Sequence, residues 1–334
     1  MKMDNIIKLD LSENMFGFPE RVIDALSSEL EKINLYPDTE CKELTECISN
    51  YYRVDGRQIY VGNGLDEIIF TIAIAKKYKK VLIPEYSFMG YHFSTKLART
   101  EIENIKLDNY KISLADIDKK IDSTDAIYIC NPQNPFGTVL EKQFMIELIE
   151  KCEKMNVDLI VDEAYIDFVE NDKVCSVIHM VDKYNCLYVL RTFSKAYSLA
   201  GLRCGFFVSK EQNMADIFQV RDALPFSVNR FAQKAVCCAL EDDQWMHDNV
   251  SKCKKNRRIF MDKLSELNIS FIESETNFVT LYNENADEIC KKLFEKYKIK
   301  VKYLAAMGLP KYLRIGIGTE EQMNKVIEVL KEMI

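Results

Sequence analysis

Glycine and proline are scarce in this chain, eleven and seven residues in 334, and no repeat, low-complexity block or Pro/Gly-rich linker divides it. That excludes a collagen-like repeat and an extended flexible tether. Histidine is rarer still. His92, His179 and His247 lie far apart, which argues against a His-rich metal site. No apolar stretch reaches the roughly 18 residues of a membrane span, and the opening MKMDNIIKLD lacks the apolar centre of a secretory signal. A cytoplasmic protein with no membrane partner is expected. Positive charge is not in excess either: 45 Lys and Arg against 52 Asp and Glu leave a net charge of −7, a poor balance for a nucleic-acid binder. Cysteine is plentiful but unpatterned. Eleven residues are scattered from Cys41 to Cys290 with no C-x-x-C pair, as expected of thiols in a reducing compartment.

Hydrophobic residues at 48% and charged residues at 29% make an ordinary globular protein, long enough for about two domains. Short apolar runs at Val81–Ile83, Ala126–Cys130, Val157–Val161, Leu187–Leu190 and Cys204–Val208 read as buried strands. Between them Asp66–Tyr78 and Glu141–Met155 carry apolar residues at helical spacing. Strands alternating with helices predict an α/β domain, a mostly parallel sheet covered by helices. After about residue 240 a long charged helix (242–267), strands near 270–273, 278–282 and 313–317, and helices near 286–297 and from Thr319 predict a smaller α+β domain.

Four segments carry chemistry. In RTFSKAYSLAGLRCG, Lys195 follows a strand, with hydroxyls at Thr192 and Ser194 and Arg203 eight residues on. An amine beside hydroxyls and a guanidinium can condense with an aldehyde while its neighbours hold a phosphate dianion. VDEAY ends a strand and presents Asp162 and Tyr165 where open α/β sheets bind ligands. There a carboxylate can pair with a protonated pyridine nitrogen. NPQNPFG forces an ordered turn after another strand and offers the Asn134 amide. GNGLDE precedes a helix whose free N–H groups, near Leu65 and Asp66, make a phosphate site. Each motif taken singly also fits a plain loop, cap or turn; their joint order does not.

Together with LRIGIGT near the end, these segments resemble the fold-type-I pyridoxal-phosphate aminotransferases, and within them most closely the histidinol-phosphate branch. The resemblance spans Leu11 to Thr319. It implies three segments: 1–35 packing with the small domain, 36–240 as the large cofactor-binding domain, and 241–334 as the small domain. It also implies pyridoxal 5′-phosphate as cofactor, held by Lys195, which then moves the substrate proton. By the same likeness Asp162 pairs with the pyridine nitrogen, Tyr165 and Asn134 bond the phenolic oxygen, and Tyr86 stacks on the ring. Thr192, Ser194, Arg203 and the backbone of Leu65 and Asp66 would hold the phosphate. Tyr36 would reach the phosphate of a partner subunit, making a homodimer the working unit. Arg314 would bind the substrate's anionic group. The implied partners are an amino donor, histidinol phosphate, and 2-oxoglutarate as acceptor, in histidine biosynthesis.

The departures concern the substrate. Phe16 stands where the family carries a phosphate-binding tyrosine, Lys302 where an arginine is frequent, and Phe136 where threonine is common. The segment after Pro84 is about two residues longer than usual, which bears on Tyr86 against Tyr91. These changes leave an aromatic amino acid aminotransferase and a threonine-phosphate decarboxylase on the same scaffold as rivals. A catalytically silent binding protein is a third.

Overall fold

The computed structural model describes residues 6–333. Seven strands form the larger sheet, in the spatial order Ile59–Gly62, Gly205–Ser209, Leu187–Thr192, Asp158–Asp162, Ala126–Cys130, Lys80–Pro84, Glu101–Ile105. The five from Leu187–Thr192 to Glu101–Ile105 run parallel, and Gly205–Ser209 is antiparallel to both of its neighbours. The central strands are buried at every position and largely apolar because helices cover both faces, so no polar alternation marks them. Helix Gly64–Lys76 illustrates the covering layer: eight of its residues are buried.

The second sheet is antiparallel, in the order Lys302–Tyr303, Tyr312–Gly316, Phe278–Tyr282, Phe271–Ile272. Helix Asp243–Glu266 buries Met246, Val250, Cys253, Arg257, Phe260 and Leu264, a stripe at alternating spacings of four and three. This stripe reaches both parts of the chain through Arg257, which donates to Phe168 O and Thr276 O (both 2.9 Å) and pairs with Glu170 and Glu275. The chain's beginning joins its later part. Ile7–Lys8 pairs in parallel with Ile299–Lys300, and Gly316 N–H donates to Leu9 O at 2.8 Å.

The parallel strands all point the same way, so their carboxyl ends meet along one edge. Pro84, Cys130, Asp162 and Thr192 stand at those ends. That edge is where an open α/β sheet leaves a crevice.

Candidate active site

The turn after Asp158–Asp162 is fixed from below by buried charge. Arg191 pairs with Glu163 (3.3 Å) and Asp167 (2.7 Å), and the Glu163 carboxylate accepts the Val177 N–H at 2.7 Å. With the turn locked, Asp162 and Tyr165 face the crevice. Asp162 is buried. One carboxylate oxygen accepts the Tyr91 hydroxyl at 2.6 Å and the other the Ala164 N–H at 2.9 Å. Burial pushes its carboxyl up to about 6, against the pull of these two hydrogen bonds. Tyr165 is buried, and desolvation pushes its phenol up so that it keeps its proton.

The asparagine loop is pinned by its own side chains: Asn131 exchanges two hydrogen bonds with the Leu140 backbone, at 3.1 and 2.9 Å. Both Asn–Pro bonds of this loop are cis. Asn134 Oδ1 accepts from Arg314 Nη1 at 2.6 Å, which directs the rest of the amide toward the crevice. Arg314, from the smaller sheet, also donates to Asp10 O at 3.2 Å and lies over the Phe278 ring.

Lys195 sits beyond Thr192, in a loop whose Ser194 N–H donates to Thr192 Oγ1 at 3.1 Å. Its amine donates to the carbonyls of Leu11 (3.0 Å) and Ser12 (3.2 Å) and lies 5.7 Å from the Tyr165 ring centre. Burial, joined by the charges of Arg314 and Arg203, lowers the amine to about 8. Arg203 pairs with Asp66 at 2.7 Å and reaches toward Ser194 Oγ at 3.5 Å. Gly64 opens the adjacent helix at φ +75°, and a Cβ there would come within 2.5 Å of the Arg203 guanidinium. A side chain at this position would fill the space between the helix N-terminus and the arginine.

These groups line one cavity of about 330 Å³. Leu65, Asp66, Asn134, Asp162, Tyr165, Thr192, Ser194, Lys195 and Arg203 all contribute to it, and Arg314 stands directly behind Asn134. Four expected residues stand elsewhere. Tyr86 faces a separate groove, edge-on to Phe136 at 6.1 Å and beside Gly308. The chain turns after Pro84 and begins its next helix only at Met89, so Phe88 reaches the cavity wall in place of Tyr86. Phe16 packs half-buried against the large core, and Lys302 is exposed. Tyr36 is 79% exposed and stacks on Phe226 at 4.5 Å, away from the cavity of its own chain. Sequence reasoning missed Glu13, Phe88 and Cys130 as wall residues. Glu13 lies within the SENMFG segment, beside the Phe16 departure; the other two carry no local signal.

The profile of the aminotransferase class I and II family matches residues 4–330. Histidinol-phosphate aminotransferase 1 of Bacillus cereus is 33% identical over 99% of this chain and 90% of its own length. The histidinol-phosphate aminotransferase of Caldicellulosiruptor saccharolyticus is 33% identical over 99% and 93%. Among solved structures, histidinol-phosphate aminotransferase from Clostridium acetobutylicum superposes with a TM-score of 0.91 at 26% identity, covering 98% of this chain and 99% of that one. Fold and site define a pyridoxal-phosphate enzyme of fold type I. The chain belongs to the class I and II aminotransferase family.

The residues present fit that cofactor. An amine held at about 8, a buried carboxylate, two donors facing the same space and a helix N-terminus cleared by Gly64 beside an arginine are the groups it requires.

Proposed function

We propose that this aminotransferase takes the amino group of L-histidinol phosphate and delivers it to 2-oxoglutarate, in the cytoplasm and as a homodimer. The observation that carries the reading is the pairing of relatives named for this reaction, a third identical along nearly the whole chain, with a cavity bearing Lys195, Asp162, Asn134, Tyr165 and Arg203 together. When bound, the cofactor supplies an aldehyde that accepts the amino group and a protonated ring that draws electrons from the carbon losing its proton.

The protein's own residues do the rest. Lys195 would hold the cofactor through its amine, and that amine, at about 8, suits it to take the proton from the substrate carbon as a general base and return it as an acid. Asp162 keeps the ring nitrogen protonated, and a carboxylate this buried gains most by having a cationic partner. Asn134 and Tyr165 would donate to the phenolic oxygen, and Phe88, on the cavity wall, would bound the space for the ring. Arg203, Thr192, Ser194 and the N–H groups of Leu65 and Asp66 hold the phosphate. Arg314 binds the substrate's anionic group. Tyr36 reaches a second copy's site; with Leu30, Ile33 and Leu35 it forms an exposed apolar strip suited to burial against that copy.

A second reading, transamination of aromatic amino acids, is favoured by the cluster of Tyr86, Tyr110, Phe136 and Tyr312 next to Asn134, and by Lys302 lying outside the cavity. Absorption spectroscopy of the cofactor-loaded protein, titrated in turn with histidinol phosphate and phenylalanine, separates the two. Loss of visible absorbance at low histidinol phosphate, absent in Lys195→Ala, is expected. Response to phenylalanine alone transfers the protein to the second reading, and released carbon dioxide would make it a decarboxylase.

A further inference from the structure

Tyr91 is fully buried, yet its hydroxyl ends 2.6 Å from Asp162. Its position is rigidly set. Helix Met89–Leu97 carries it inward, Thr95 Oγ1 donates to its carbonyl at 2.7 Å, and its ring is held by Phe88 (5.6 Å) and Tyr128 (5.5 Å). Nothing else donates a side-chain hydrogen bond to this carboxylate among the described residues; the Ala164 backbone supplies the only other one.

We propose that Tyr91 is a positioning residue of the active site, its hydroxyl holding the Asp162 carboxylate in the ionised form that a protonated pyridine nitrogen needs. This rests on the proposed cofactor role of Asp162. Two effects compete at this carboxylate. Burial alone drives Asp162 toward its neutral form, and a protonated carboxyl cannot hold a pyridinium. A hydrogen bond donated to the charged form opposes that, and charge-assisted bonds of this length are strong. The donor is dependable, because burial pushes the Tyr91 phenol well above its ordinary value and it never becomes a competing anion. The other groups facing Asp162 pull in opposite directions. Lys195 from the loop after Leu187–Thr192 favours its charge, while Asp66 from helix Gly64–Lys76 opposes it. Cys130 and Tyr165 are neutral at working pH, their ionisation suppressed by burial. Tyr91 is thus the neutral donor that tips the balance.

Tyr91→Phe removes one oxygen and keeps the ring packing. The test measures the dissociation constant of pyridoxal phosphate from the wild-type, Tyr91→Phe, Asp162→Asn and doubly substituted proteins between about pH 5 and 9. Affinity should weaken in Tyr91→Phe by about two-fold near pH 7 and approach about ten-fold toward pH 5, with the acid limb moved up by about one pH unit and the deficit closing at high pH. Titration of the cofactor phosphate and of Lys195 is common to wild type and variant, so the difference isolates Asp162. In the Asp162→Asn background, where the side chain at 162 cannot ionise, the second substitution should change affinity less than about two-fold. A wild-type pH profile in Tyr91→Phe, or a weakening uniform across pH, would overturn the proposal in favour of mere packing. Failure of the wild-type protein to bind pyridoxal phosphate at all would instead overturn the function on which it rests.

Discussion

Lys195 shows how a common side chain becomes reactive through its surroundings alone. Burial and the cations Arg314 and Arg203 bring its amine to about 8, so the neutral fraction grows as pH rises through that value. Only the neutral amine attacks an aldehyde. The rate of pyridoxal-phosphate uptake by the cofactor-free protein is therefore expected to climb about ten-fold per pH unit below 8 and level off above it. Arg314→Met removes a facing cation, and the rise should move to higher pH in stopped-flow absorbance. Much at this scale was legible in the sequence. Lys195, Asp162, Asn134 and Arg203 sit at or just beyond strand ends or in the loops they open, where spacing from an apolar run fixes position. Phe88 was not legible, since the choice among Tyr86, Phe88 and Tyr91 depends on where the turn after Pro84 ends and the helix begins.

Elements differ in how clearly a sequence announces them. The strands Ala126–Cys130 and Leu187–Thr192 stand out as apolar runs because both faces are covered. The edge strand Glu101–Ile105 does not, since Glu101 and Glu103 face solvent and the cations Lys80 and Lys120. Helix Met89–Leu97 is likewise hidden, because Phe93 (60% exposed) and Leu97 (70% exposed) blur its apolar stripe. Helix Gly64–Lys76 makes the prediction at this scale. Gly64 adopts a left-handed φ, and its missing Cβ is the space in which Arg203 approaches the helix N-terminus. Gly64→Ala should strain the backbone by about 1 kcal/mol and push the guanidinium aside. Fluorescence titration is expected to show pyridoxal phosphate bound about ten-fold more weakly. Unchanged affinity would separate this helix end from the phosphate.

Across the whole molecule, Arg257 is the joint. The residue is 1% exposed, and its guanidinium joins backbone carbonyls at Phe168 and Thr276 with the carboxylates of Glu170 and Glu275. Removing it takes the donor from two carbonyls at once and leaves Glu170 only Arg258, and Glu275 only the Glu170 N–H. Arg257→Ala is expected to lower unfolding free energy by about 3 kcal/mol in urea titration, and Arg257→Lys to recover only part of it, lacking the planar fork. An Arg257→Lys variant as stable as the wild-type protein would show that charge alone suffices. Such a joint is invisible in sequence, where residues 168, 170, 257, 275 and 276 are separate stretches and a buried arginine in a charged helix looks like its solvated neighbours.

The two carbonyls that hold the Lys195 amine belong to Leu11 and Ser12, and this short strap is itself tied down from far along the chain. Asn277 donates to Ser12 O at 2.9 Å, Arg314 to Asp10 O, and Gly316 to Leu9 O. During synthesis on the ribosome the strap therefore emerges well before the residues that hold it. The parallel sheet around Asp162 and Thr192 can assemble from residues 59–209 while the roof of the reaction site still waits for residue 316. The order of translation thus places closure of that roof after the sheet's residues have emerged, and keeps an incomplete chain from presenting a finished reactive lysine.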